Sequence, residues 1–406
     1  MKKLAIVTTH PIQYYAPIFR QLAARGNVQI KVFYTWPQSQ QVKYDPGFGK
    51  AVRWDIPLLN GYDYAFIQNT AKNPGSHGFS GIQNPTLIRE IAGWAPDALL
   101  VFSWSYRSNL AVLRHFKGKI PVFFRGDSHL LDEKPGLKTQ LRRSLLRWVY
   151  RHVDYAFYVG ENNRQYFLKH GLKTGQLLFA PHVVDNDRFG ENVPAKEAEA
   201  LAWRRRLDIP QDAVVLLYAA KLEPKKDPQL LLKAFVEMDQ PAAYLIIVGN
   251  GPLEEALKAQ FANHPRIRFL AFQNQSQMPL VYRLGQVFVL PSQGPAETWG
   301  LALNEAMACG RAVVASHKVG GALDLIKAGE NGWVFRAGHR ESLKSALGRL
   351  LQEPARIAAM GDASLQRIRE WSIEKTVECL EQGVLRCEAA RPEIVHRPGV
   401  LSNATS

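Results

Sequence analysis

Cysteine is scarce: Cys309, Cys379 and Cys387 are the three in 406 residues. Their spacings offer neither a disulfide framework nor a four-cysteine zinc site. That usage reads as a reducing, cytoplasmic compartment. Long apolar runs are lacking too. The longest, residues 213–220, has eight residues, whereas a membrane-spanning helix needs about 20. After the basic Met1-Lys2-Lys3 only Leu4 to Val7 are apolar, so we expect no secretory leader. Acidic residues are in deficit, 36 against 51 Lys and Arg, for a formal net charge of +15. An excess of that sign favours an anionic partner, whether nucleic acid, a membrane surface or a phosphorylated substrate. RNP, KH, zinc-finger and helix-turn-helix signatures are missing, and no nucleic-acid partner is expected. Hydrophobic residues at 46% and charged residues at 21% suffice for ordinary globular cores.

What is present alternates between short apolar runs and helical spacing. Residues 3–9 and 28–34 read as strands with a helix over 18–24 between them, the opening of a parallel α/β sheet. Runs at 98–102, 121–124 and 154–159 continue it, with helices over 107–116 and 137–152. Residues 37–85, rich in Gly, Pro, Asn and aromatics, read as loops with an irregular strand or two. A polar stretch near 186–190 and a charged, helix-prone segment over 191–206 precede a second alternation. Its strands are expected at 213–220, 243–248, 267–272, 287–290, 312–315 and 333–335. The expected organisation is one α/β domain over 1–190, a second over 191–370, a helix over 371–390 and a loose tail over 391–406.

Three stretches carry candidate chemistry. In the first, a strand ends at Leu290, a Pro/Gly loop follows, and a helix is expected from near Thr298 to Gly310. A helix start exposes free amides and a partial positive charge, which suits a phosphate. Gly300 lets a ligand approach the backbone. Glu297 and Glu305, a little over two helical turns apart, can face one cleft as acceptors for sugar hydroxyls. Taken singly, each also reads as an ordinary helix glutamate. In the second stretch, a strand delivers Lys221 to its carboxyl edge and Lys226 follows. Ligands of open α/β sheets bind beyond that edge, and two ammonium groups there can hold a diphosphate as a leaving group. A solvated basic loop is the plainer reading. The third, Gly249-Asn250-Gly251-Pro252, is half of a glycine-rich dinucleotide fingerprint, because Glu254 stands where the third glycine belongs. It reads equally as a strand-to-helix turn.

Together these stretches resemble the donor half of glycosyltransferase family 4, the retaining nucleotide-sugar enzymes of the GT-B fold. The likeness rests on Lys221 with Lys226, Gly249-Asn250-Gly251-Pro252, Pro291-Ser292, Glu297 with Glu305, and Glu305-Ala306-Met307-Ala308-Cys309-Gly310. Val319-Gly320-Gly321 and Gly329-Glu330-Asn331-Gly332 extend it, over roughly residues 213–336. The resemblance implies two Rossmann-like domains facing across a cleft, with a C-terminal helix crossing back to the first. It implies that Lys221 and Lys226 grip the donor diphosphate and that Glu297 binds sugar hydroxyls. The amides of Trp299, Gly300 and Leu301 would contact sugar and phosphate, Gly249 and Gly251 would belong to the donor site, and Glu305 would bind the ribose. The family often has arginine at position 221 and a smaller Phe or Tyr at 299. No metal and no cofactor beyond a UDP- or GDP-linked sugar is expected.

The first domain matches the family less well. Residues His10-Pro11-Ile12-Gln13-Tyr14-Tyr15 stand where many members have a Gly-Gly pair, and Arg125-Gly126-Asp127-Ser128-His129 follows the middle strand. Asp127, with His129 second, is the candidate to face the reaction centre, where a buried carboxylate can accept or orient the acceptor proton. A turn with Gly126 is the alternative. Over 138–152, Lys138, Arg142, Arg143, Arg147 and Arg151 provide five cations without an acid, and Leu141, Leu145, Trp148 and Val149 share a helical face. This fits a peripheral helix at an anionic membrane surface, or a core helix with a solvated basic side. The expected acceptor is lipid-linked, or a lipopolysaccharide or exopolysaccharide; a small soluble acceptor is the alternative. Asp185-Asn186-Asp187 spells a metal-type spacing but reads as a polar turn.

Overall fold

The computed structural model describes residues 1–37, 43–45, 50–52 and 54–387. The tail expected over 391–406, and part of the loop region over 37–85, lie outside the described residues. Two large sheets dominate, and every pairing within them is parallel. The seven-stranded sheet runs, edge to edge, Asp63–Phe66, Val28–Tyr34, Lys2–Thr8, Ala98–Phe102, Val122–Arg125, Tyr155–Tyr158 and Leu177–Phe179. The six-stranded sheet runs Ile267–Leu270, Ala243–Val248, Val214–Ala219, Val287–Leu290, Ala312–Ser316 and Gly332–Phe335. Strands such as Ala98–Phe102 and Val287–Leu290 are buried throughout, which is why they read as continuous apolar runs rather than alternating ones. The edge strands Asp63–Phe66 and Leu177–Phe179 are only half-buried or exposed; the first lies in the region 37–85 expected to hold an irregular strand or two, and the weak apolar signal of the second went unread in the sequence.

Both sheets reverse their order once. In the first, the chain grows outward from Lys2–Thr8 one way and from Ala98–Phe102 the other. In the second, the reversal falls between Val214–Ala219 and Val287–Leu290. At such a reversal the loops leaving the carboxyl ends diverge and open a crevice. The loops after Ala219 and Leu290 therefore flank the crevice of the second sheet, and residues 9–15 that of the first.

The passage between sheets differs in detail from the polar linker expected near 186–190. Asn186–Gly190 is a short helix capped by Asp185, whose carboxylate accepts the Arg188 N–H at 3.0 Å. Val184 and Phe189 are buried in an apolar cluster of the second sheet. The helix Ile373–Arg386 lies against the first sheet, burying Ile373, Val377, Leu380 and Val384 at helical spacing. Ser372 caps its start, accepting the Lys375 N–H at 3.2 Å. The Lys2 ammonium binds carbonyls at its last turn, including Val384 O at 3.2 Å, where a cation suits the helix dipole. The buried carboxylate of Glu381 pairs with Arg25 at 2.9 Å.

Candidate active site

A cavity of about 440 Å³ lies where the two crevices face each other. Its floor comes from the second sheet: Lys221 and Lys226 after one strand, Gly249 after the next, and Glu297 to Ala302 after the third. The loops are tied together. Gln293 N–H donates to Lys225 O at 2.9 Å, and its side-chain amide to Pro224 O at 2.8 Å. Gly249 has φ +143°, and a Cβ on it would stand 2.1 Å from Ala220 O. No other residue tolerates that approach, which seats the glycine loop directly against Lys221.

The expected helix over 298–310 begins later, at Leu301, and ends at Ala308. Gly300 is its cap at φ +88°, and a Cβ there would meet Val319 Cγ1 at 2.5 Å. Thr298 and Trp299 thus belong to the approach loop, and the free amides at the helix start border the cavity. Glu297 is buried, accepts Ser292 Oγ–H at 2.8 Å and forms an ion pair with Lys226. The two side chains expected to divide between sugar and diphosphate are therefore partners of each other in the structure. Glu305 is also buried. Tyr282 donates to its Oε2 at 2.7 Å and Tyr14 to its Oε1 at 3.2 Å. Loss of water pushes the Glu305 carboxyl above the usual carboxylate range, against the pull of Tyr282, Arg188 and Tyr14.

The first domain contributes the opposite wall. Asp127 accepts Thr298 Oγ1–H across the cleft at 2.7 Å. It is neither buried nor in a turn: its side chain is 37% exposed, because it hangs from the strand end into the cavity. His129 contacts Glu297 O through Nε2 at 3.1 Å. Further contacts hold the cleft closed. Ala296 N–H donates to Asp132 at 2.9 Å, Lys318 pairs with the same carboxylate at 3.1 Å, and Asn162 donates to Gly320 O at 2.8 Å. His182 lies beside Asp127, its Nε2 3.9 Å from Oδ2. It is buried, and desolvation drives its pKa down to about 4, so the ring is neutral.

Several expectations need correction. Gly251 is not in the cavity wall; a Cβ on it would stand 2.5 Å from Leu222 O, so its lack of a side chain serves loop packing. The Trp299 indole is buried, donates to Asn304 Oδ1 at 2.9 Å and fills the space beside Gly160 and Gly321. Its bulk therefore serves domain contact as well as the cavity. In the basic helix, Leu137–Tyr150, the sheet buries Leu146, Val149 and Tyr150. Leu137, Leu141, Leu145 and Trp148 remain 72%, 63%, 46% and 38% exposed, whereas Val149, expected on the same face as Leu141, Leu145 and Trp148, is buried, so the face is split between the core and solvent. Tyr14, His182 and Tyr282 were not anticipated as site residues, and of these only Tyr14 carried a signal, its place in the loop after the first strand; Ser292 and Thr298, named above only within a motif and as a helix start, enter through their bonds to Glu297 and Asp127.

Two parallel α/β domains that close on a cleft at both sheet reversals define the GT-B architecture. The structure resembles Anabaena Alr3699/HepE in complex with UDP and glucose, with TM-score 0.69 and 16% identity over 95% of this chain and 100% of that one. It also resembles WaaG, a glycosyltransferase involved in lipopolysaccharide biosynthesis, with TM-score 0.65 and 15% identity over 95% and 100% of the two chains. At such identities the likeness is one of fold.

Residues 199–367, most of the second domain, match the family "Glycosyl transferases group 1". A GDP-mannose-dependent alpha-(1-6)-phosphatidylinositol monomannoside mannosyltransferase of Mycolicibacterium smegmatis is 29% identical over 242 residues, 57% of this chain and 61% of its own. A D-inositol 3-phosphate glycosyltransferase of Geodermatophilus obscurus is 31% identical over 231 residues, 53% and 49% of the two chains. The chain thus spans less than two thirds of the length of these curated relatives.

Proposed function

We propose that the protein is a retaining glycosyltransferase. It moves a sugar from a UDP- or GDP-linked donor to a lipid-linked, lipopolysaccharide or exopolysaccharide acceptor at the cytoplasmic membrane face. The observation that carries this reading is the convergence of Lys221, Lys226, Glu297, the Gly300–Leu301 turn and Glu305 on one cavity at the sheet reversal, opposite Asp127. In this reading the lysines hold the diphosphate and Glu305 the ribose. The bond between the anomeric carbon and the diphosphate oxygen breaks while the acceptor oxygen bonds to the same face of that carbon. The acceptor proton passes to the departing diphosphate or to Asp127. The lysine charges stabilise the leaving group and the closed cleft excludes water. A resident metal has no part in the proposal, since these ammonium groups supply the positive charge.

The exposed stripe Leu137, Leu141, Leu145 and Trp148, flanked by Lys138, Arg142, Arg147 and Arg151, supports an acceptor held at an anionic membrane. A second reading, a soluble small-molecule acceptor, is favoured by the relatives named for D-inositol 3-phosphate. A thermal-shift panel of UDP, GDP, their sugars, NAD and an oligonucleotide tests the donor. A nucleotide at 100 times its Kd adds about 2.7 kcal/mol, or about 5–10 °C in Tm. We expect that shift with UDP or GDP, its loss in Glu305→Ala, and turnover that survives EDTA. A shift with the oligonucleotide alone refutes the transferase reading.

A further inference from the structure

Tyr14 comes from the first domain, yet its ring packs with an apolar cluster of the second. Its phenol donates to Glu305 Oε1, and Tyr282 of the second domain donates to Oε2. One buried carboxylate is thereby pinned by two phenols, one from each domain. Burial and the nearby carboxylate push the phenol pKa of both tyrosines up, so both remain donors at neutral pH. The charged neighbour Arg188 is engaged elsewhere, on Gln275 O at 2.6 Å and Gln275 Oε1 at 3.0 Å.

The last torsion of a glutamate is broad and weakly held. A hydrogen bond on each oxygen fixes the plane of the carboxylate, and each oxygen keeps acceptor capacity for a second donor. Vicinal hydroxyls present two donors side by side and match such a fixed pair. A carboxylate held only by Tyr282 would keep one oxygen anchored and let the plane swing. The pinning phenol is also available only when the first domain is seated across the cleft.

We propose that Tyr14 is a positioning residue for the ribose of the nucleoside diphosphate: it holds Glu305 in the orientation that accepts the 2′ and 3′ hydroxyls. Recognition of the nucleotide by the second domain thereby depends on contact with the first. The inference rests on Glu305 being the ribose carboxylate, as proposed above.

Calorimetric titration of the full chain with UDP, GDP and their 2′-deoxy forms tests it. The nucleotide that binds should exceed its 2′-deoxy form by at least about tenfold in affinity, the loss expected for a hydroxyl bonded to a buried charge. Tyr14→Phe, which removes only the hydroxyl, should compress that ratio to below about threefold. A role limited to holding the domains together would weaken both ligands equally and leave the ratio unchanged, which overturns the proposal. Incorporation of 3-fluorotyrosine at position 14 makes the phenol a stronger donor without changing its shape and should widen the ratio. If Tyr14→Phe does not fold, an unchanged ratio in the fluorinated protein overturns the proposal by itself. Equal binding of ribo and deoxy forms by the unaltered protein would instead remove the ribose role of Glu305. Binding of neither nucleotide would remove the donor reading.

Discussion

Replacing Lys226 by methionine would leave the Glu297 carboxylate in the cavity floor with Ser292 as its remaining side-chain donor. The side chains are 18% and 8% exposed, so this is a mostly buried pair. Removing one partner of a fully buried pair costs about 3–5 kcal/mol, because the other charge stays desolvated. Here the open cavity admits water to the lysine side and Ser292 still donates, which lowers the expected loss to about 2–3 kcal/mol. At about 2–4 °C per kcal/mol for a domain near this size, Lys226→Met should lower Tm by about 4–12 °C. The double variant Lys226→Met, Glu297→Gln should recover more than half of that, since the neutral amide still accepts from Ser292 and needs no counter-charge. Scanning calorimetry of the wild type, both single variants and the double variant closes the cycle. Additive single effects would show that the two groups do not interact and would refute the pairing. The same lysine meets the diphosphate in the proposed reaction, so Lys226→Met should also abolish the thermal shift with nucleotide.

Glu305→Gln should raise the Tm of the ligand-free protein near neutral pH while weakening UDP or GDP binding at least about tenfold. The folded carboxyl is held above its ordinary value of 4.5, so the folded state binds the proton more tightly and stability falls as pH rises through that range; in the glutamine variant this slope should flatten. His182 has the opposite sign of linkage. Its imidazole is depressed from 6.5 to about 4, so its contribution is present above pH 6.5 and lost as pH falls toward 4, and His182→Gln should flatten that limb of a Tm-against-pH curve. Leu141→Ser with Leu145→Ser should reduce sedimentation with vesicles containing phosphatidylglycerol several-fold, about 1 kcal/mol or more of lost apolar contact, without changing the nucleotide shift. Unaltered vesicle binding would leave the small-molecule acceptor as the better reading. Cys309 is buried with its thiol pushed up to about 11, so iodoacetamide at pH 8 should leave it unmodified in the native protein, by peptide mass spectrometry.

The doubly buried strands were readable because nothing else explains runs such as Leu4 to Val7 or Val287 to Leu290, and their order implied parallel sheets. Lys221 and Lys226 were readable as charges at a strand end, where loops of an open parallel sheet converge, whereas Gly249, Glu297, Gly300 and Glu305 were singled out as a set by the family resemblance, since each alone also fits a turn or an ordinary helix. Helical periodicity served less well. In Leu137–Tyr150, one stripe at 137, 141, 145 and 148 and another at 146, 149 and 150 both satisfy the spacing of a helix face. The sequence left open whether the face of Leu141, Leu145, Trp148 and Val149 meets a membrane surface or the core. The sheet took the shorter one, and the longer was left to solvent. The start of the helix near Thr298 was misplaced because Gly300 caps through a left-handed backbone that composition does not announce.

By itself, then, the sequence determined two parallel α/β units, which strand ends carry charge, and the excess of cations. These follow from local chemistry: burial of apolar runs, turn residues at fixed offsets, and the rule that loops at one sheet edge meet. Tertiary structure alone decided the partners. It paired Lys226 with Glu297, brought Tyr14 and Tyr282 onto one carboxylate, and set His182 against Asp127. It also withdrew Gly251 into packing. Those contacts join residues as far apart as Tyr14 and Glu305, across an interface between two domains. The Tyr14–Glu305 contact depends on how the second sheet is turned to face the first, while Lys226 with Glu297, Tyr282 with Glu305 and His182 with Asp127 meet inside one domain through loops and helices distant in sequence, and no periodicity or spacing encodes any of them.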